Sequence, residues 1–206
     1  MIIRRVLIAS IILLGMLVML ALYHPAFRPQ PSPTGEAAGV VAIGGPFALV
    51  DGSGNAFTET NLKGKYSLIF FGFTHCPDIC PLTLQVMTDA IEQAGPAGEK
   101  VTPVFVSVDP ERDTAENVSA YVGAFHPRFV GLTGTAEQVA GAAKAYRVFF
   151  RKAPLKDTEG EETGAYTVEH SGIIFFMDPD GRYIAHFSNG TSAQDMAARI
   201  RREVEK

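Results

Sequence analysis

Residues 70–85 read FFGFTHCPDICPLTLQ, and this stretch decides how the rest of the chain is read. It holds the chain's 2 cysteines, Cys76 and Cys80, each followed by a proline. An apolar run ends in the thiols, and a helix-forming sequence follows them. The residue before a proline avoids helical backbone, so Cys76 and Cys80 are expected to be extended or turned. Pro81 suits the first helical position, where its missing N–H is no loss. Cys76 to Ile79 then form a loop directly off a buried strand. Both sulfurs fall near the positive end of a helix dipole, which favours thiolate. Asp78 between them works the other way unless its side chain caps backbone amides. A disulfide closing so small a ring stabilises by only about 2 kcal/mol. A domain of this size builds a core without it. Redox or metal chemistry is therefore the better account of the thiols than a structural bridge.

Outward from this stretch, strands and helices alternate. FALVDGSGNAFT (47–58) reads as a hairpin turning at Gly52 to Asn55. YSLIFFGF (66–73) and VTPVFVSV (101–108) are near-continuous apolar runs, as expected of strands covered on both faces. PLTLQVMTDAIEQA (81–94) carries apolar residues at helical spacing, and Gly95-Pro96 ends it. Helices are expected over 114–125 and 135–145, and YRVFF (146–150) as a short strand. Residues 151–164 are charged and read as an irregular loop. GIIFFM and RYIAHF flank DPDG as a second hairpin over 172–187. SAQDMAARIRREVEK (192–206) is a closing helix with Ser192 and Asp195 in its first turn, a pair resembling a capping box. This order of elements predicts an α/β sandwich with a mixed central sheet flanked by helices.

The N-terminus predicts an appendage. Val6 to Tyr23 hold no charge over 18 residues, about 27 Å as a helix, close to the thickness of a bilayer core. The run exceeds a usual signal-peptide core and lacks a clear cleavage site, so an uncleaved anchor over residues 1–23 is expected. Arg4 and Arg5 hold the short tail in the cytoplasm, which puts the remainder outside. Five residues ahead of the span leave no room for a transit peptide, so a bacterial inner membrane is the expected host, with the domain in the periplasm. Residues 24–39, with four prolines, read as a semi-rigid linker spanning on the order of 50 Å, and the folded domain begins at Val40. Net charge is −4, from 22 acids against 18 bases, so nothing favours nucleic acid. The basic tail RIRREVEK reads as a solvated helix face.

In an oxidising compartment two nearby thiols close into a disulfide unless something keeps them reduced. Two soft thiolates a short loop apart suit copper(I), or zinc if two further ligands exist. The chain offers 5 histidines as a third ligand: His24, His75, His126, His170 and His186. His75 abuts Cys76, and neighbouring side chains of an extended segment point apart. The junction of a loop and a strand raises His170 above the others without deciding the choice.

FGFTHCPDICP, VSVDPERDT, HPRFVGLTG, AYRVFF, YTVEHS and DPDGRYIAHF follow one another in this chain. In that order they resemble the Sco/SenC family of membrane-anchored copper proteins with a thioredoxin-like fold. The resemblance covers residues 40–206. It implies a copper site of two cysteines and one histidine, here Cys76, Cys80 and His170, taking Cu(I), Cu(II) or both. It further implies a metallochaperone rather than a dedicated enzyme. Its role is assembly of the binuclear copper centre of cytochrome c oxidase, by delivering copper to the receiving subunit, by reducing that client's cysteines, or both. Asp78 and Asp109 match family positions and are read as supporting or partner-docking groups. The family's usual Asp before the histidine is Glu169 here. Two other readings compete: a thiol–disulfide oxidoreductase without a metal, using Cys76 and Cys80 as a redox dithiol, and a peroxidase. The first more often has two residues between its cysteines, and nothing in the chain supplies the Arg-supported pocket of the second. Copper loading needs both thiols reduced, so an external thioredoxin-like reductant is expected. The loop over 151–164 is expected to be mobile without metal and to order when His170 engages.

Overall fold

The computed structural model describes residues 42–206 except 159, together with Met16 and Met19. Apart from Met16 and Met19, the expected anchor and linker lie outside the described residues. Among the described residues no helix is long and apolar enough to cross a membrane. The chain divides into two units, Met1–Val41 and Ala42–Lys206. Of the first, only Met16 and Met19 are described, both helical and exposed.

Within the second unit, the first hairpin pairs β1 (Ala48–Val50) with β2 (Ala56–Thr58). Its turn is held by Asp51, whose carboxylate accepts from the backbone N–H of Ser53 and Asn55 at 2.9 and 3.0 Å. After a 3-10 turn come β3 (Tyr66–Gly72), the helix α1 (Ile79–Gln93), the short α2 (Pro96–Glu99) and β4 (Val101–Ser107). Then follow α3 (Ala115–Gly123), β5 (Val130–Leu132), α4 (Ala136–Ala145), β6 (Phe150–Lys156) and β7 (Glu162–His170). β8 (Ile173–Met177), β9 (Tyr183–Ser188) and α5 (Ala193–Val204) close the chain.

The central sheet has the order β5-β4-β3-β8-β9. β3, β4 and β5 run parallel, and β8 and β9 add antiparallel on the other side. This is the mixed sheet expected of a thioredoxin-like sandwich. The continuous apolar runs are central strands because both faces are covered: Phe70 and Phe71 point to opposite faces, yet neither has any exposure. Phe70 packs with Phe105 on one face, and Phe71 with Tyr146 and Phe175 on the other. Helix starts follow local chemistry. Thr114, Thr135 and Ser192 each accept a backbone N–H from the first turn of α3, α4 and α5.

Three expectations are corrected. The segment 146–150 is not a strand: Tyr146 caps α4, Arg147 turns through φ 56°, and pairing begins only at Phe150. Residues 151–164 are not an irregular loop. They build most of a β6–β7 hairpin whose register runs from Phe150↔His170 to Lys156↔Glu162, so His170 ends a strand rather than beginning one. Their charges mark solvated strand faces, which composition alone does not distinguish from a loop. Third, α1 starts at Ile79, so Cys80 is helical and Pro81 sits further into the first turn. The first N–H groups of a helix have no partner within it, so a proline there removes no hydrogen bond.

Candidate functional site

The cysteine loop leaves the sheet where β3 stops at Gly72. A Cβ at Gly72 would stand 2.9 Å from the Cys80 sulfur and 2.8 Å from the Phe105 ring, so glycine is what lets that sulfur reach the sheet. Asp113 pins the loop: its carboxylate accepts from Thr74 N–H at 3.0 Å, the Thr74 hydroxyl at 2.5 Å and the Ser107 hydroxyl at 2.6 Å. Asp113 is buried, so those donors replace water around its carboxylate.

Both thiols are free, Cys80 buried and Cys76 half-buried. Asp78, the N-cap residue, makes no side-chain capping bond. The Cys76 sulfur accepts the Cys80 N–H at 3.4 Å instead. Burial pushes the Cys80 thiol well above its ordinary range, opposed by a hydrogen bond from the Phe73 backbone and reinforced by Cys76 and Asp113. The expectation that the helix end favours thiolate is therefore corrected at Cys80, where loss of hydration outweighs the dipole.

His170 comes to this pair from the far end of the chain. Its Nε2 lies 3.6 Å from the Cys80 sulfur. Its ring stands edge-on to Phe70 and Phe73, each 5.9 Å away between centroids. Nδ1 lies 3.3 Å from the Ser171 carbonyl, which only accepts, so Nδ1 carries the proton and Nε2 presents its lone pair to the sulfur. Burial lowers the His170 pKa, against the Ser171 bond, and keeps the ring neutral.

The other histidines are engaged elsewhere. His126 accepts from the Arg128 N–H at 3.1 Å, and His186 pairs with the Tyr183 hydroxyl on β9. His75 faces solvent beside Asp113, 3.5 Å away. His24 lies outside the described residues. Among the described residues no three His, Cys, Asp or Glu side chains converge to hold an ion as they stand. Cys80 and His170 already meet, whereas the Cys76 sulfur is turned onto the Cys80 amide.

Asp109 is buried. It accepts from Arg112 Nε at 2.5 Å and from the Tyr166 hydroxyl at 2.9 Å. Glu169 points outward and pairs with Arg151 across the hairpin at 2.7 Å. The segment VSVDPERDT holds Arg112 and Asp113, and its sequence pattern alone assigns neither a role. The signal available was an i, i+4 pair of acids directly after a buried strand. Exposed apolar residues flank Cys80 on the first turn of α1, Ile79 at 45% and Leu82 at 64%. Ile79 and Leu82 line a groove of about 400 Å³ with Val86 and Ile174.

A free dithiol at the strand-to-helix turn of a thioredoxin-like sandwich, with a neutral imidazole against its buried sulfur, defines a thioredoxin-like dithiol protein. The chain belongs to the SCO1/SenC family, whose family model matches residues 35–205. It is 40% identical over 171 residues to the mitochondrial SCO1 homolog 1 of Arabidopsis thaliana, a match covering 82% of this chain and 49% of that protein. The chain thus spans about half the length of that relative. A crystal structure of Arabidopsis thaliana ScoI with copper bound is similar at 39% identity and a TM-score of 0.73, covering 80% of this chain and 99% of that one. Bradyrhizobium japonicum ScoI with copper bound is similar at 42% identity and a TM-score of 0.69, covering 78% and 99%.

Proposed function

We propose that this protein is a copper metallochaperone that carries one copper ion on Cys76, Cys80 and His170. One observation carries the reading: the 3.6 Å between Cys80 Sγ and His170 Nε2. Two ligands at bond lengths of about 2.3 Å for sulfur and about 2.0 Å for imidazole lie roughly 3.5–3.8 Å apart around a single ion. The donor set of two thiolates and one imidazole suits copper. Copper is the cargo. Cys80 and His170 form a prearranged half-site in the protein interior, and rotation of the Cys76 side chain off the Cys80 amide completes it. Loading displaces the Cys80 proton, so the ion and not the helix dipole stabilises that thiolate. Cys76, the more exposed ligand, is the one that an incoming thiolate replaces first.

The rest of the reading follows from the chain and from the family. Residues 1–23 anchor the protein in a bacterial inner membrane, 24–39 form the linker, and 40–206 carry the site in the periplasm. The receiving partner is the copper-binding subunit of cytochrome c oxidase. The exposed apolar side chains of Ile79 and Leu82 give such a protein client dry surface beside Cys80. A thioredoxin-like reductant returns an oxidised Cys76–Cys80 pair to the dithiol state. Copper titration of the reduced protein beside His170→Ala tests the assignment: the variant loses tight binding and its copper(II)–thiolate band shifts. Unchanged affinity in His170→Ala would remove the histidine from the site.

A second role rests on the contrast between the thiols. A half-buried Cys76 above a buried Cys80 is the arrangement of an attacking and a resolving thiol. The Cys76 thiolate attacks a client disulfide, one client sulfur leaves as thiolate, and Cys80 displaces the other. The client gains two electrons and this protein keeps the disulfide. His170→Ala separates the roles, because disulfide reduction survives the loss of the imidazole.

A further inference from the structure

The β6–β7 hairpin is a separate two-stranded sheet that shares no ladder with the central one. Side chains must therefore fix His170 in place. Tyr166, Val168 and His170 alternate along β7 and share the face turned to the body, with Val168 buried. At Tyr166 the attachment is polar and specific. Its hydroxyl donates to Asp109 at 2.9 Å, and its carbonyl accepts from Arg112 Nη1 at 3.1 Å. The Arg112 guanidinium lies 3.9 Å from the centroid of the Tyr166 ring and 5.8 Å from that of Phe73, and its Nε donates to Asp109. Outside this contact, Lys152 of β6 pairs with Glu111.

The cysteine loop is tied to the same turn. Asp109 O accepts from the N–H of Arg112 and of Asp113 at 3.1 and 3.0 Å, closing one helical turn directly after β4. Asp113 holds Thr74, and Ser107 Oγ joins the two acids, donating to Asp113 at 2.6 Å and accepting from Asp109 N–H at 3.1 Å. One buried turn thus grips the segment that carries the cysteines and the segment that carries the histidine.

We propose that the turn Asp109–Asp113 is the positioning device of the copper site, and that the Arg112–Tyr166 clamp sets the distance and residence time of His170 at the buried sulfur. This rests on the copper reading above. A purely structural role predicts that loosening the clamp lowers global stability and leaves the hairpin's relative protection and the copper signature alone. Positioning predicts a local effect. Tyr166 is about 13 Å along the strand from His170, so losing its tie frees the ligand-bearing end without unpacking the sheet.

The test uses Tyr166→Phe, which keeps the ring and removes one hydrogen bond to a buried carboxylate. Amide exchange at Val168, Glu169 and His170 in the copper-free protein is expected to rise about tenfold, while exchange in β3 and β4 stays at wild-type values. Copper release is expected to speed up about tenfold, with a shifted copper(II)–thiolate absorption band. Arg112→Met reproduces this, and Arg112→Lys, which keeps the charge but not the planar fork, fails to restore hairpin protection. Wild-type exchange over 168–170 together with wild-type copper release in Tyr166→Phe would overturn the proposal. The exchange measurement needs no metal, so it judges the clamp even if His170→Ala shows that the copper assignment is wrong.

Discussion

Gly72→Ala isolates the close approach of a sulfur to the end of β3. The added methyl would meet Phe105 Cε2 at 2.8 Å, Cys80 Sγ at 2.9 Å and Phe70 Cε1 at 3.1 Å. Ordinary contacts begin at 3.4 Å, so the sulfur must retreat by about 0.5 Å or the rings must turn. Both rings and the sulfur are fully buried, so none of them yields without repacking its neighbours. Overpacking of this kind costs about 1–3 kcal/mol. Against it stands the entropy that alanine removes from the unfolded chain, about 0.4–1 kcal/mol, available because Gly72 does not have the positive φ of several other glycines. Overpacking wins, leaving a net loss of about 1–2 kcal/mol, or a melting point lower by about 2–8 °C. Phe70 also stacks edge-on to His170, so any ring movement reaches the second ligand too. Copper affinity, measured against a competing chelator, is expected to fall about tenfold as the 3.6 Å separation is disturbed. A Gly72→Ala protein with wild-type melting point and wild-type copper affinity would refute the reasoning.

Other perturbations act through different physics. Asp113→Ala strips Thr74 and Ser107 of a buried acceptor and costs about 2–4 kcal/mol by urea denaturation; a loss under 1 kcal/mol would mean that the network contributes little. The reduced, metal-free protein is most stable in a window set by its buried site. His170 binds its proton less readily folded than unfolded, so stability falls as pH drops below the ordinary imidazole value of 6.5. Cys80 holds its proton more tightly folded, so stability also falls as pH rises past the ordinary thiol value of 9.0. Cys80→Ser and His170→Ala should each flatten the corresponding limb of the melting-temperature profile. Glu169→Ala removes a solvent-exposed ion pair with Arg151 and should leave both melting point and copper affinity unchanged. A large loss of copper affinity there would give Glu169 a direct part in the site.

His170 stands against Cys80 at the end of a paired strand. Backbone pairing from Phe150↔His170 to Lys156↔Glu162 predicts amide protection of that hairpin, measured with and without copper. This reverses what the charge pattern implies, because lysines and glutamates on a two-stranded ribbon with one solvated face look like a loop.

Local chemistry determined what the sequence alone could supply. Apolar runs with no alternation mark strands covered on both faces, Asp-Gly turns mark hairpins, hydroxyl caps start helices, and the order of elements yields a mixed α/β sandwich. The cysteine pair at a strand-to-helix turn belongs to this legible part, because chain neighbours decide it. Spacing and local chemistry left five histidines open, and only the family resemblance pointed to His170. The tertiary structure is what brings it, 90 residues beyond Cys80 along the chain, to that sulfur. It also decided that burial raises the pKa of that thiol, and that Asp109 and Asp113 bond Tyr166 and Thr74 from one turn. The reason is range. Turn, cap and strand propensities act over a few residues, whereas desolvation and side-chain clamps arise only when distant segments are packed together and water is removed.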